Sequence, residues 1–172
     1  MLHQNETYLG NPNVKRDGVI QEWTKELVQE YYKCSKDPIY FAEKYCKVIS
    51  LDRGLVPFKL YPYQKNMFRQ FNEHRFNIVL ACRQSGKSIS ACAYLLWFAL
   101  FHSEKTVAVL ANKGATAREM LGRVTLMLEN IPFFLQPGCK KNGMFSNMRV
   151  ILANISRAVA PLLARTATVF SL

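Results

Sequence analysis

A lysine and a serine set directly behind a glycine make a phosphate-binding arrangement when they open a helix. The stretch Ala81-Cys82-Arg83-Gln84-Ser85-Gly86-Lys87-Ser88 has that form. Before it, Asn77-Ile78-Val79-Leu80 is a short apolar run that reads as a buried strand, and after it Ile89 to Phe101 reads as a helix. Strand, loop and helix in that order turn a Gly-Lys-Ser tripeptide into a nucleotide-binding hypothesis. Backbone N–H groups of Gln84, Ser85 and their neighbours would point at phosphate oxygens, and the helix dipole would favour their charge. Lys87 would reach the β- and γ-phosphates of ATP, and the Ser88 hydroxyl would take a coordination position on Mg²⁺. Gly86 leaves space where a Cβ would intrude. The usual spacing is GxxxxGK[ST], and Ala81 stands where its first glycine belongs.

A second pattern concerns what is missing. After Glu129 the chain has no Asp or Glu, while Lys140, Lys141, Arg149, Arg157 and Arg165 are all basic. Hydrolysis at a phosphate loop needs a carboxylate at the end of a second apolar strand to hold Mg²⁺, and usually another to orient the attacking water. Glu104, Glu119 and Glu129 fall before a strand or on a helix. The expectation is a chain that binds ATP with Mg²⁺ but does not hydrolyse it efficiently. Upstream, Gln64 offers an amide with donor and acceptor together, suited to the N6/N7 edge of adenine. A solvated glutamine on a helix surface fits the same spacing.

Those residues must be carried by a chain of 172 residues, enough for one sizeable core. Its net charge of +11 points to a polyanionic partner, nucleic acid above all, with a phosphate site or an acidic remainder of the protein as the other account of some of that charge. Five cysteines (Cys34, Cys46, Cys82, Cys92, Cys139) show no zinc spacing, and an odd count without a signal peptide suggests a reducing cytoplasm. The run from Ile89 to Phe101 is too short to cross a bilayer. Residues 1–19 read as an irregular arm, 20–54 as a helical segment and 55–172 as the nucleotide-binding portion. The helices are expected over Ile20–Cys34 (amphipathic, with Trp23, Leu27 and Tyr31 at four-residue steps and Val28 and Tyr32 beside them), Ile39–Ile49 behind an Asp37-Pro38 start, Pro62–His74 and Ala115–Ile131. Leu55–Leu60 is a short linking segment or a minor strand. Val107–Ala111 is a second buried strand, expected parallel and adjacent to 77–81. The fold class that follows is α/β, a parallel sheet of the P-loop NTPase type flanked by helices, with an N-terminal helical segment.

Certain stretches together resemble the N-terminal ATPase domain of the large terminase subunits of tailed bacteriophages, the motors that package DNA. They are Asp37-Pro38-Ile39-Tyr40-Phe41, Tyr63-Gln64, Arg75-Phe76-Asn77-Ile78 running into Arg83-Gln84-Ser85-Gly86-Lys87-Ser88, Leu110-Ala111-Asn112-Lys113 and Pro132-Phe133-Phe134-Leu135-Gln136-Pro137-Gly138. The resemblance covers roughly residues 10–140, and a loop of RQxGKS type is fairly specific to that family. It implies that Gln64 reads adenine, that Lys87 and Ser88 hold phosphate and Mg²⁺, and that Arg83 stabilises charge on the γ-phosphoryl group. A structural salt bridge is an equal reading of Arg83. It further implies double-stranded DNA, the portal and the small terminase subunit as partners, a homo-oligomeric ring, and residence in the host cytoplasm. Members of the family continue into an Asp-Glu strand and a nuclease domain. Residues 144–172 depart from that pattern, as a fragment cut before the carboxylates or a tail read out of frame would. A helicase-like remodelling ATPase and a truncated nucleotide-binding product without turnover are the alternative functions.

Overall fold

A computed structural model describes residues 7–8, 11–16, 18–20, 22–50, 52–102, 105–111, 113–138, 148–154 and 167–171. Helices and strands are mixed along the chain. In order they are β1 (Thr7–Tyr8), β2 (Asn11–Lys15), α1 (Lys25–Lys36), α2 (Pro38–Tyr45), β3 (Lys47–Ser50), β4 (Gly54–Pro57), α3 (Pro62–Glu73), α4 (Lys87–Phe101), β5 (Lys105–Ala111), α5 (Gly114–Glu129), β6 (Met148–Asn154) and β7 (Ala167–Ser171).

The core is built around α4, which is apolar on every side. Ala91 to Trp97 and Ala99 are all buried, and the helix packs against α2, α3, α5 and β5. A helix without a polar face is stable in water only when neighbours cover it all round. Two of its aromatic residues also anchor it by polar groups. The Trp97 indole N–H donates to the Cys34 carbonyl at 2.7 Å, and the Tyr94 hydroxyl donates to the Phe71 carbonyl at 3.1 Å. On α5, Met120, Val124, Met127 and Leu128 face this core as their spacing requires.

Local signals set several boundaries. The Asp37 carboxylate accepts from the Ile39 and Tyr40 N–H groups at 2.8 and 3.1 Å, with Pro38 at the first helical position. That helix ends at Tyr45, not Ile49. Val48 and Ile49 instead enter an antiparallel hairpin, β3 with β4, in which Ser50 faces Gly54. Two β-branched residues beside an Asp-Arg-Gly turn favour the hairpin over another helical turn. Helix α1 begins at Lys25 behind a Thr24 cap, five residues later than the pattern suggests, and Trp23, Val28 and Tyr32 are exposed. The arm is not irregular throughout, since β1 pairs antiparallel with β2.

The largest departure lies in the sheet. Strand β5 runs parallel to β6 on one side and to β7 on the other, in the order β6-β5-β7. Residues 77–81 join no described strand. Ile78 and Leu80 are fully exposed, so the expected pairing of this run with β5 does not form. An apolar stretch of four residues is a strand only where a partner ladder receives it. Sequence shows the apolarity but not the partner.

Candidate functional site

Residues 83–86 form a turn and a bend that deliver the chain into α4. Gln84 has φ 60°, and Gly86, the residue that caps α4, has φ 75° and ψ 13°. Both lie in the left-handed region, which glycine enters freely and glutamine at a cost of about 1–2 kcal/mol. The loop is held by its own groups. The Ser85 hydroxyl donates to the Cys82 carbonyl at 2.9 Å, and the Lys87 ammonium donates to the same oxygen at 3.3 Å. From α3, the Tyr63 hydroxyl donates to the Ser85 carbonyl. No side chain caps α4, so the N–H groups of its first turn remain available to an acceptor from outside.

A pocket of about 620 Å³ opens over this loop. Gln84, Ser85, Gly86, Lys87 and Ser88 line it, with Lys47, Val48 and Ile49 from β3 and Arg123, Leu126 and Met127 from α5. Five of the residues expected at the site therefore meet in one cavity. The Lys87 ammonium and the Ser88 hydroxyl both belong to it, the chemistry that phosphate and Mg²⁺ require. Ser88 is the only ligand for a hard cation that the expectation named, and no carboxylate lines the pocket among the described residues. Glu119 lies on α5, where it takes the Arg123 guanidinium at 2.6 Å, while Glu129 accepts from the Asn11 amide at 2.9 Å. Glu104 lies outside the described residues.

Gln64 and Arg83 stand apart from the cavity lining. Gln64 is 2% exposed, and its Oε1 accepts from the Tyr61 N–H at 2.9 Å, closing the first turn of α3. Its Nε2 lies directly behind Gly86, where a Cβ on that glycine would come within 2.7 Å. Arg83 is exposed and forms no ion pair with a described residue. Cys82 is also exposed, whereas Cys34, Cys46 and Cys92 are buried. Burial pushes the Cys34 and Cys92 thiols up to about 12, which keeps them protonated and unreactive.

Sequence reasoning missed the β3 and α5 contributions to the cavity. Lys47 fell within a run read as helix, and only the hairpin carries it to the loop. Arg123 sits one position before Val124, a core residue, and nothing in its spacing marks it as facing a cavity. What the geometry assembles is a cationic cleft at an uncapped helix N-terminus, with two left-handed residues in the loop that shapes it. No protein-family model matches this chain.

Proposed function

We propose that this chain binds a nucleoside triphosphate, ATP with Mg²⁺, at Ser85–Ser88, and that it is the ATP-binding portion of a DNA-packaging motor of the large-terminase type. The observation that carries the reading is Lys87 and Ser88 at the uncapped N-terminus of α4, opening into a 620 Å³ cavity. The fold proposed with it is of the P-loop NTPase type. The parallel order β6-β5-β7 and the loop leading into a buried helix support that fold, with residues 77–81 outside the described sheet.

Lys87 would exchange its contact with the Cys82 carbonyl for phosphate oxygens, and the Ser88 hydroxyl would hold Mg²⁺. Bound Mg²⁺ would neutralise phosphate charge. Arg83, exposed and without an ion pair among the described residues, is free to reach a γ-phosphoryl group. Gln64, buried and bonded to the Tyr61 N–H behind Gly86, braces the loop and is not placed to meet adenine. The net charge of +11 supports a DNA partner, bound by neutralising its backbone.

Calorimetric titration of Mg·ATP tests the site. Lys87→Ala should lower affinity by about tenfold to a hundredfold, the equivalent of roughly 1.5–3 kcal/mol for charge-assisted contacts. Equal affinities for the two proteins would end the reading. A second reading, nucleotide binding without turnover, is favoured by the lack of a carboxylate among the described lining residues. Positioning and electrostatics supply nearly all catalysis of phosphoryl transfer, and among the described lining residues no acid is placed to align water. ATP turnover by residues 1–172 that disappears in Glu119→Gln would overturn it.

A further inference from the structure

The cavity has a cationic wall that the phosphate loop does not supply. Lys47 arrives from β3, exposed and without an ion pair among the described residues. Arg123 arrives from α5 and uses one guanidinium N–H on Glu119 at 2.6 Å, which leaves four donors of the five. Together with Lys87, three cations line a space of about 620 Å³. The Glu119 carboxylate, on the outer face of α5 and 63% exposed, offsets only part of that charge. Like charges converging on a concave surface raise its potential and favour an anion carrying several charges at once. The other side chains that β3 and α5 contribute, Val48, Ile49, Leu126 and Met127, are apolar and offer a base no hydrogen bond.

We propose that Lys47 and Arg123 are phosphate-contacting residues, and that the pocket recognises the polyphosphate tail of its ligand rather than its base. This rests on the nucleotide reading of the loop and adds two residues from elements outside it. Each further phosphate brings negative charge that Lys87, the one loop cation lining the pocket, would leave poorly matched by itself. Arg123 can take two oxygens with its planar fork, whereas Lys47 acts as a point charge on a flexible stem.

The test uses the full chain and inorganic triphosphate, with Mg²⁺, as a probe that has no base. Wild type should bind it within about tenfold of Mg·ATP, since the base adds little. Lys47→Gln and Arg123→Gln should each weaken triphosphate by about fivefold, the effect of one partly screened charge contact, and AMP by much less. Circular dichroism checks that both variants fold, and Lys25→Gln on α1 controls for the loss of one charge anywhere on the surface. Triphosphate affinities of Lys47→Gln and Arg123→Gln equal to wild type, with Lys87→Ala still defective, would overturn the role of these two residues alone. A wild type that binds ATP but not inorganic triphosphate would overturn recognition through the tail. Failure of Lys87→Ala to differ from wild type would instead strike the loop itself, and this inference with it.

Discussion

Gly86 shows how much one residue position can be asked to do. Its φ of 75° starts α4 from the left-handed region, and the Gln64 amide fills the space a side chain would need. Gly86→Ala should therefore be costly for two separate reasons. The backbone contribution is about 1–2 kcal/mol, and displacing the buried Gln64 from the Tyr61 N–H adds about 1 kcal/mol. Urea unfolding should show a loss of about 2–3 kcal/mol, and in a Gln64→Ala background, where the bond to the Tyr61 N–H is already gone, Gly86→Ala should cost only the backbone part. The glycine was legible from the Gly-Lys-Ser spacing. Its contact with Gln64 was not, because it joins positions 22 apart through the packing of α3 on the loop. Gln84 was legible as a loop residue, but its left-handed conformation is the work of the turn and not of the residue type.

Helices α1 and α2 are fastened at Glu30. Its carboxylate receives the Lys44 ammonium at 2.6 Å and the Tyr40 and Tyr45 hydroxyls, each at 2.8 Å. The Lys44 hydrogen bond, with the two tyrosines, lowers its pKa from 4.5 to about 2. A carboxylate with a depressed pKa adds stability above its unfolded value, and that contribution is lost as pH falls from about 4.5 through 2. Glu30→Gln should cost about 1–2 kcal/mol near neutral pH, discounted because Lys44 is half exposed. Thermal unfolding should show the two proteins converging towards pH 2, and a gap that persisted there would contradict the assignment. Asp37-Pro38 announced α2 in the sequence, and the cap forms as expected. Nothing announced the Glu30 cluster, since its partners lie 10, 14 and 15 positions away on another helix. The same limit explains α1, where a four-residue rhythm of Trp23, Leu27 and Tyr31 gave a face but not the point at which Thr24 would cap it.

At the scale of the molecule, five helices and β5 were readable from apolar period and capping residues, and the sheet was not. Strand neighbours are chosen by tertiary context, and β5 pairs with β6 and β7 rather than with 77–81. This leaves Phe76, Ile78, Val79 and Leu80 exposed in a segment outside any described helix or strand, with Ile78 and Leu80 fully bare. A contiguous apolar segment of this kind promotes self-association. Sedimentation velocity should show association that grows with concentration, and Ile78→Lys with Leu80→Lys should suppress it. Because these side chains touch little, the double variant should unfold within about 0.5 kcal/mol of wild type. A large loss would mean that the run is buried in a sheet.

The N-terminal arm is stitched into the far end of α5 by one buried amide. Gln136 accepts the Lys15 N–H at 3.0 Å, while its Nε2 donates to the carbonyls of Asn13, Leu128 and Ile131 at 2.8, 3.1 and 3.0 Å. A shortened version of this protein that starts at the first helix would look reasonable on paper, since the arm is polar and rich in turns. It would remove the arm's two bonds to a side chain that is 3% exposed and open a wet notch beside the last turn of α5. The smallest piece that keeps its own interior sealed must therefore begin no later than Asn11, more than a dozen residues before the first described helix.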